Sequence, residues 1–239
     1  MTVPQLPLAW PAPAHYRFEH FETAGNAPVV PLLDTWWRGE AAADAPLLLA
    51  GPAGAGKTHL LIAVAAAARD AGRRTLYVAL SRWSDFDADA LDAMASGQLL
   101  AIDEIDAIAG HRMAEIALFD LYNRCRDRGC RLLMAARQVP SRLPLVLPDL
   151  RSRLDAATLV PLSLLDEQAR RELVRRRAAH RGFTLGAPVI EFLFRRHPRD
   201  MHALMSLVDR LDRESLARQR RVTLALARDV MDAGTPAPG

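Results

Sequence analysis

The sequence predicts an α/β protein in which helices cover both faces of a parallel β-sheet and a small all-helical domain follows. Three observations support this fold class. Apolar segments of strand length alternate with helical segments between residues 47 and 136. A glycine-rich loop follows the first of these strands and opens a helix. After Pro161, helical patterns occur without strands between them. We therefore expect a three-layer αβα core followed by a helical bundle.

The glycine-rich loop at residues 51–58 reads Gly-Pro-Ala-Gly-Ala-Gly-Lys-Thr, a complete G-x-x-x-x-G-K-[ST] phosphate loop. Its glycines would let backbone N–H groups close around phosphate oxygens, Lys57 would supply a point charge, and Thr58 would offer a hydroxyl to Mg²⁺. The loop therefore predicts a site for a nucleoside diphosphate or triphosphate with Mg²⁺. The predicted nucleotide contacts from this segment are Gly51, Pro52, Ala53, Gly54, Ala55, Gly56, Lys57, Thr58 and His59.

Two further strands are predicted after the phosphate-loop helix. Residues 75–79 form the first, and residues 99–102 run apolar into Asp103 and Glu104. A carboxylate pair at the C-terminal end of a buried parallel strand faces the phosphates. We expect Asp103 to hold Mg²⁺ and Glu104 to polarise an attacking water.

Apolar periodicity and capping residues predict the remaining elements. In chain order these are helices over 31–40, 88–95 and 112–128, a strand over 131–136, and helices over 166–181, from 188, after 198 to about 219, and from 223 to near 234. The apolar stripe of the 112–128 helix is expected to comprise Met113, Ile116, Leu118, Phe119 and Tyr122.

Composition favours a folded cytoplasmic protein. Half of the 239 residues are hydrophobic, and the formal charge is only +3, which permits contacts with nucleic acid without requiring them. Cys125 and Cys130 lack metal-ligand spacing, so we interpret them as reduced thiols. Neither a signal peptide nor a membrane-spanning run is predicted, so we expect no membrane association.

The layout and several local segments resemble the DnaA-like AAA+ proteins, whose AAA+ core precedes a helical lid. The segments that carry the resemblance are Tyr16-Arg17-Phe18-Glu19-His20-Phe21 with Gly25-Asn26, residues 116–124 (Ile-Ala-Leu-Phe-Asp-Leu-Tyr-Asn-Arg), residues 147–154 (Leu-Pro-Asp-Leu-Arg-Ser-Arg-Leu) and Arg199-Asp200-Met201. The domains are accordingly expected as an extended tail over 1–14, an AAA+ core over 15–161, a helical lid over 162–234 and a disordered tail over 235–239.

The resemblance implies roles for three further residues. Phe21 belongs to the segment that packs against the adenine in the family, and Arg199 matches the sensor 2 arginine that contacts the nucleotide. Arg153 matches the arginine finger, which would act in trans on ATP bound to DnaA. Arg151 lies two residues before it, and only the spacing of the motif separates the two arginines.

Three features resemble DnaA-related regulators of bacterial replication initiation more than the initiator. We expect no helix-turn-helix domain after the lid, and only about twenty residues separate the second strand from the acidic-ended strand. The tail carries Gln5-Leu6-Pro7-Leu8, which is similar to peptides that dock on the DNA polymerase III sliding clamp (β subunit). Leu6 and Leu8 would enter an apolar pocket, and Gln5 would hydrogen-bond at its rim.

One position departs from the family. The strand that carries sensor 1 ends in a polar or acidic residue in relatives, whereas Arg137 stands here, and a cation cannot orient water as a carboxylate does. The resemblance therefore implies weak or absent hydrolysis by this chain's own site. It also implies a negative regulator of replication initiation that binds the clamp, and DNA through the clamp, and stimulates hydrolysis of DnaA-bound ATP.

Two alternatives stay open at the level of sequence: a self-contained AAA+ ATPase or helicase loader that depends on Glu104, and a non-catalytic DnaA tether. The choice between monomer and head-to-tail homodimer also stays open. So does the role of the arginine-rich stretch at residues 170–181, which is either a solvated helix face or a contact with DNA.

Overall fold

The computed structural model describes residues 16–40, 45–85, 88–197 and 201–232, and these form an αβα sandwich and a helical bundle. The strands are β1 (Leu47–Ala50), β2 (Thr75–Ala79), β3 (Leu99–Asp103), β4 (Arg131–Ala136) and β5 (Thr158–Pro161). The α-helices are α1 (Val29–Arg38), α2 (Lys57–Asp70), α3 (Ala88–Ala95), α4 (Arg112–Asp127), α5 (Pro148–Asp155), α6 (Glu167–His180), α7 (Ala187–Arg196), α8 (Met201–Arg218) and α9 (Leu224–Asp232). The predicted fold class is confirmed.

The five strands form one parallel sheet in the order β2-β3-β4-β1-β5. Because all the strands run in one direction, their C-terminal ends meet at the same edge. The loop after β1 and the acidic residues at the end of β3 therefore lie on the same edge, although β4 separates the two strands.

Alternate residues of each inner strand face opposite helical layers. Leu47 and Leu49 belong to an apolar cluster that includes residues of α1 and α2, whereas Leu48 belongs to a second cluster that includes residues of α3, α4 and α5. The continuous apolar pattern of β1, β3 and β4 follows from this arrangement, because strands covered on both faces need apolar residues at every position.

Two details of this unit differ from the sequence-based expectations. Strand β5 is not among the predicted strands, because it is short, lies at the sheet edge and exposes three of its four residues. Met113 does not belong to the buried stripe of α4, since 76% of its surface is exposed. The buried positions of that helix include Ala114 and Glu115 instead.

The chain divides into two compact units between Leu164 and Leu165. The sequence-based boundary lies earlier, at 161/162. Leu162 and Ser163 still belong to the first unit because the Leu162 N–H donates to the Ala50 carbonyl at 2.7 Å and Ser163 is bonded to Asn26.

The second unit contains α6 to α9 around its own apolar core. The Asp166 side chain accepts the Ala169 N–H at 2.7 Å and caps α6, and the Thr223 hydroxyl accepts the Leu226 N–H at 3.3 Å at the start of α9. The core residues include Val174, Leu193, Leu204, Leu211 and Val230. Among the described helices of both units, none is long and apolar enough to cross a membrane.

Candidate nucleotide site

The phosphate loop adopts the backbone that its glycines permit. Gly54 and Gly56 have φ values of 83° and 91°, in the left-handed region that disfavours other residues, and Gly56 caps the N-terminus of α2. A Cβ atom on Gly51 would lie 2.4 Å from the Leu162 carbonyl oxygen. The loop is therefore pressed against the segment that follows β5, and the first turn of α2 offers the N–H groups that bind anions.

The Lys57 side chain extends back over the phosphate loop towards its first residues. Its Nζ donates to the carbonyl oxygens of Gly51, at 2.6 Å, and Pro52, at 2.9 Å. Burial lowers the pKa of Lys57, and the nearby carboxylates of Asp103 and Asp106 oppose that shift. These contacts hold the ammonium group beside the backbone groups that would surround a phosphate.

Asp103 and Thr58 come together as the sequence predicts for a Mg²⁺ site. The Thr58 hydroxyl donates to Asp103 Oδ2 at 2.5 Å, and only 2% of Asp103 is exposed. A hydroxyl and one carboxylate are hard oxygen donors that suit Mg²⁺ completed by phosphate oxygens and water. In the described part of the chain, no group of three potential His, Cys, Asp or Glu ligands occurs.

Tyr77 is a member of this site that sequence reasoning missed. Its hydroxyl donates to Asp103 Oδ2 at 3.1 Å from the neighbouring strand β2. Burial and the adjacent Asp103 carboxylate raise the pKa of Tyr77, so the phenol keeps its proton. Burial also raises the pKa of Asp103, against the lowering effect of hydrogen bonds from Thr58, the Glu104 N–H and Tyr77.

Glu104 lies immediately beyond β3 in a strained conformation. Its φ of 59° is uncommon for a residue with a side chain, and it caps the short 3₁₀ helix Ile105–Ala107. Its carboxylate accepts a hydrogen bond from the Ser81 hydroxyl. Glu104, the expected water-positioning residue, therefore lies at the same sheet edge as Asp103. Its hydrogen-bond partner Ser81 was not predicted from the sequence.

Arg137 follows β4 and forms an ion pair. Its Nε lies 3.1 Å from Asp106 Oδ2, and its backbone N–H donates to Asp106 Oδ1 at 2.9 Å. The Arg137 side chain, which the resemblance assigns to the sensor 1 position, thus neutralises a carboxylate three residues after Asp103. It presents a cation, rather than an acceptor for water, at this edge of the sheet.

Phe21 and His59 pack beside the phosphate loop. The Phe21 ring would lie 2.6 Å from a Cβ atom on Gly56, and its centroid is 5.6 Å from that of His59. The His59 Nε2–H donates to the Arg17 carbonyl at 2.9 Å, and its ring meets Tyr16 edge to face. These residues join the segment before α1 to the start of α2, which is where the resemblance places the adenine.

Arg151 and Arg153 on α5 have different surroundings. The Arg151 guanidinium donates to the carbonyls of Pro140, Leu143 and Leu145 at 2.7, 3.1 and 3.1 Å. Arg153 lies over the Phe119 ring, 5.9 Å from its centroid, and forms no hydrogen bond or ion pair with the described residues. Of the two arginines, Arg153 is therefore the one with an uncommitted charge.

Four residues singled out by the sequence lie outside the described residues. Gln5, Leu6 and Leu8 of the clamp-type motif lie in the first segment that is not described, and Arg199 lies in the 198–200 segment. Their proposed roles stay predictions.

Two family models cover most of the chain. The bacterial DnaA ATPase domain matches residues 14–160, and the Hda lid domain matches residues 166–231.

Solved structures similar to this chain include domain III of the replication initiation protein DnaA from Thermotoga maritima, with a TM-score of 0.76 and 20% identity over 92% of this chain and 97% of that one. AMPPCP-bound DnaA from Aquifex aeolicus has a TM-score of 0.68 and 20% identity, over 87% of this chain and 70% of that one. The RuvB Holliday junction branch migration motor from Thermotoga maritima has a TM-score of 0.61 and 19% identity, over 91% of this chain and 73% of that one. At these identities the structures establish a shared fold.

Proposed function

Because this chain belongs to the family of bacterial DnaA ATPase domains, we propose that it is a nucleotide-binding regulator of replication initiation that acts on DnaA. The observation that carries the proposal is the combination, in one chain, of a DnaA-type core with an Hda-type lid. RuvB, a branch migration motor, shares the fold at 19% identity, so the fold alone would not support the assignment.

The chain's own site would bind ADP or ATP. The phosphate loop from Gly51 to Thr58 would surround the phosphates, Lys57 would neutralise their charge, and Phe21 with His59 would lie on the adenine side. Arg199 would contact the phosphates from the lid. Thr58 and Asp103 would hold Mg²⁺, which would offset phosphate charge when bound.

The nucleotide in this site would serve mainly as a ligand rather than a substrate. Asp103 and Glu104 supply the carboxylates that hydrolysis needs, but Arg137 puts a cation paired with Asp106 where relatives place a polar group. We therefore propose that this chain's own hydrolysis is weak or absent. The presence of Glu104 still favours the self-contained ATPase as the second candidate function.

Catalysis would take place on the partner. The guanidinium of Arg153 would enter the ATP site of DnaA and stabilise negative charge on the transferring phosphoryl group, an effect worth roughly 10³ to 10⁵ in rate. Its lack of a hydrogen-bonded partner among the described residues supports this role, because an arginine already committed within its own fold cannot reach another protein.

Docking on the β sliding clamp would concentrate the chain near DNA-bound DnaA. Gln5, Leu6 and Leu8 would provide the clamp contact, and DNA would be reached through the clamp. The chain would act as a monomer or as a homodimer in the cytoplasm.

The proposal is tested by following radiolabelled ATP on DnaA during incubation with this chain and clamp-loaded DNA. We expect conversion to ADP to accelerate only when the chain, clamp and DNA are all present. Absence of acceleration by the wild-type chain under these conditions would overturn the proposed function.

The proposed clamp contact of the tail is tested by co-elution with the clamp and by thermal melting. Replacing Gln5, Leu6 and Leu8 with alanine should abolish co-elution with the clamp and leave the melting temperature unchanged, because the Pro-rich sequence of the tail predicts an extended segment outside the folded core. A matched control is Pro7→Ala, which keeps all three contacting side chains. If the triple variant still elutes with the clamp, the docking motif lies elsewhere.

A further inference from the structure

A single peptide group in the loop before α5 is bonded at both ends by ionised side chains. The Leu145 carbonyl accepts from Arg151 Nη2 at 3.1 Å, and the Val146 N–H donates to Glu115 Oε2 at 2.9 Å. Leu145 C=O and Val146 N–H belong to the same peptide group, so its dipole lies between a guanidinium and a carboxylate with favourable orientation at each end.

Glu115 makes this arrangement from a fully buried position on α4. None of its surface is exposed, and its carboxylate also accepts the N–H groups of Leu147, at 2.7 Å, and Gly110, at 2.7 Å. A buried carboxylate is tolerated only when it is extensively hydrogen-bonded. Here its hydrogen-bond donors are backbone N–H groups of the loops that precede α4 and α5.

Arg151 supplies the complementary bonds from α5. Besides Leu145, it donates to the Pro140 and Leu143 carbonyls at 2.7 and 3.1 Å. The rigid, planar guanidinium spans three acceptors, which a lysine ammonium cannot do with the same geometry. Arg151 therefore holds the loop that leads into its own helix.

The same two helices meet again at the proposed arginine finger. Phe119 lies one helical turn after Glu115 on α4, and Arg153 follows Arg151 on α5, with its guanidinium over the Phe119 ring. The path of residues 143–147 thus sets where α5 begins, and the position of α5 sets where Arg153 is presented.

We propose that Glu115 and Arg151 are positioning residues for Arg153, and that they act through the peptide group between Leu145 and Val146. This inference depends on the proposed function, because the positioned group is the arginine that would act on DnaA. A misplacement of a catalytic group by about 1 Å can cost up to about a hundredfold in rate. Loss of the Glu115 and Arg151 hydrogen bonds to this peptide group should therefore slow the hydrolysis of DnaA-bound ATP without removing the surface that binds DnaA.

The test variant is Arg151→Met, which keeps the aliphatic stem and removes all three hydrogen bonds. Arg142→Met is the control, because Arg142 is exposed at the end of the short 3₁₀ helix Pro140–Arg142. In the DnaA assay with clamp-loaded DNA, we expect the maximal stimulated rate of Arg151→Met to fall by roughly ten- to a hundredfold. The concentration for half-maximal stimulation should stay within about twofold of wild type. Arg142→Met should match wild type in both quantities.

Amide hydrogen exchange gives a readout that does not depend on DnaA. The Val146 and Leu147 N–H groups should exchange faster in Arg151→Met, while the amides of β1 and β4 keep their wild-type protection. If Arg151→Met does not fold, Arg151→Lys and Glu115→Gln, which retain side-chain length, are measured instead. Each should give a smaller loss of maximal rate with the same local increase in exchange.

The outcomes separate this inference from the proposed function. A wild-type maximal rate for a folded Arg151→Met variant, together with loss of stimulation in Arg153→Ala, would overturn the positioning role alone. A general loss of exchange protection or a parallel rise in the half-maximal concentration would show that Arg151 only stabilises the fold. A wild-type chain that gives no stimulation would overturn the proposed function and this inference with it.

Discussion

At the scale of single residues, the Asp103 carboxylate is the group that connects the candidate site through hydrogen bonds. It receives hydrogen bonds from the hydroxyls of Thr58 and Tyr77 and from the Glu104 N–H, yet burial still raises its pKa. Protonation of this carboxyl would relieve its desolvation, and a cation would offset its charge. The buried Asp103 carboxylate therefore lowers the stability of the nucleotide-free protein, and binding of Mg²⁺ as proposed would offset this cost.

Asp103→Asn should reveal both effects. A raised folded-state pKa means that the free energy of unfolding falls as pH rises from the unfolded value, 3.8, through the folded value. The nucleotide-free variant should therefore melt higher than wild type at neutral pH, on the order of a few degrees, and this difference should disappear in acid. Calorimetry across the pH range checks it. A lower melting temperature at neutral pH would contradict the burial argument.

The same variant should lose most of the thermal stabilisation that wild type gains from Mg²⁺ and ATP, because Asp103 is the carboxylate proposed to hold the ion. Thr58→Ser, which keeps the hydroxyl, serves as the matched control and should retain the gain. An equal gain in Asp103→Asn and wild type would remove Asp103 from the proposed metal site.

Lys57 is the only lysine in the sequence, so its role in nucleotide binding can be tested without interference from other lysines. Lys57→Ala should weaken ADP or ATP binding at least tenfold, about 1.4 kcal/mol, because the phosphates lose their nearest proposed cation. Titration calorimetry measures the affinity, with Lys57→Arg as a variant that keeps the charge. Unchanged affinity in Lys57→Ala would reject the phosphate-loop assignment.

At the scale of structural elements, the phosphate loop depends on its contact with the segment after β5. Gly51 has no room for a side chain, since a Cβ atom would meet the Leu162 carbonyl at 2.4 Å. Asn26 reinforces this junction, because its side chain donates to the Ser163 carbonyl at 3.0 Å and accepts the Ser163 N–H at 2.9 Å. The loop, the segment before α1 and the end of the first unit are thus bonded together.

Gly51→Ala should therefore lower the free energy of unfolding by roughly 1–3 kcal/mol, because backbone must shift to admit the methyl group. Gly186→Ala is the control, since a Cβ atom there would lie at an ordinary 3.7 Å from the Pro188 Cδ and the φ of Gly186 is −66°. Urea unfolding compares the two variants. Equal stability of Gly51→Ala and wild type would show that the close approach to Leu162 is easily relieved.

The sequence predicted the elements that have a clear local pattern. It missed those that depend on contacts with residues distant in sequence. Strands β1, β3 and β4 are apolar on both faces, and the phosphate loop has a fixed motif, so these elements could be located. Strand β5 exists because β1 pairs with it, and its own four residues carry no clear pattern. Tyr77 and Glu115 were missed for the same reason, since their hydrogen-bond partners are distant in sequence.

At the scale of the whole molecule, several arginines of the lid form ion pairs within the lid. Arg171 pairs with Glu167 and Glu191, Arg177 with Asp209, and Arg181 with both Asp209 and Asp212. Arginines committed to carboxylates are poor phosphate contacts, because binding DNA would require those pairs to open. Contact of Arg171, Arg177 or Arg181 with DNA would therefore require the loss of ion pairs within the lid.

The whole molecule thus combines a site suited to holding a nucleotide with an arginine suited to acting elsewhere. Lys57, Thr58 and Asp103 are drawn together at one sheet edge, whereas Arg153 has no bonded partner among the described residues. If the arginine acts in trans, its removal and the removal of Glu104 must have different effects, because only Glu104 would serve hydrolysis in the chain's own site.

The rate of ATP loss from DnaA on clamp-loaded DNA, measured with Arg153→Ala and Glu104→Gln side by side, tests the trans mechanism most directly. Arg153→Ala should keep the wild-type melting temperature, nucleotide content and clamp binding, while stimulation falls by about a thousandfold or to background. Glu104→Gln should stimulate as wild type does. Wild-type stimulation by Arg153→Ala, or its loss only in Glu104→Gln, would contradict the action of this arginine on the ATP of DnaA.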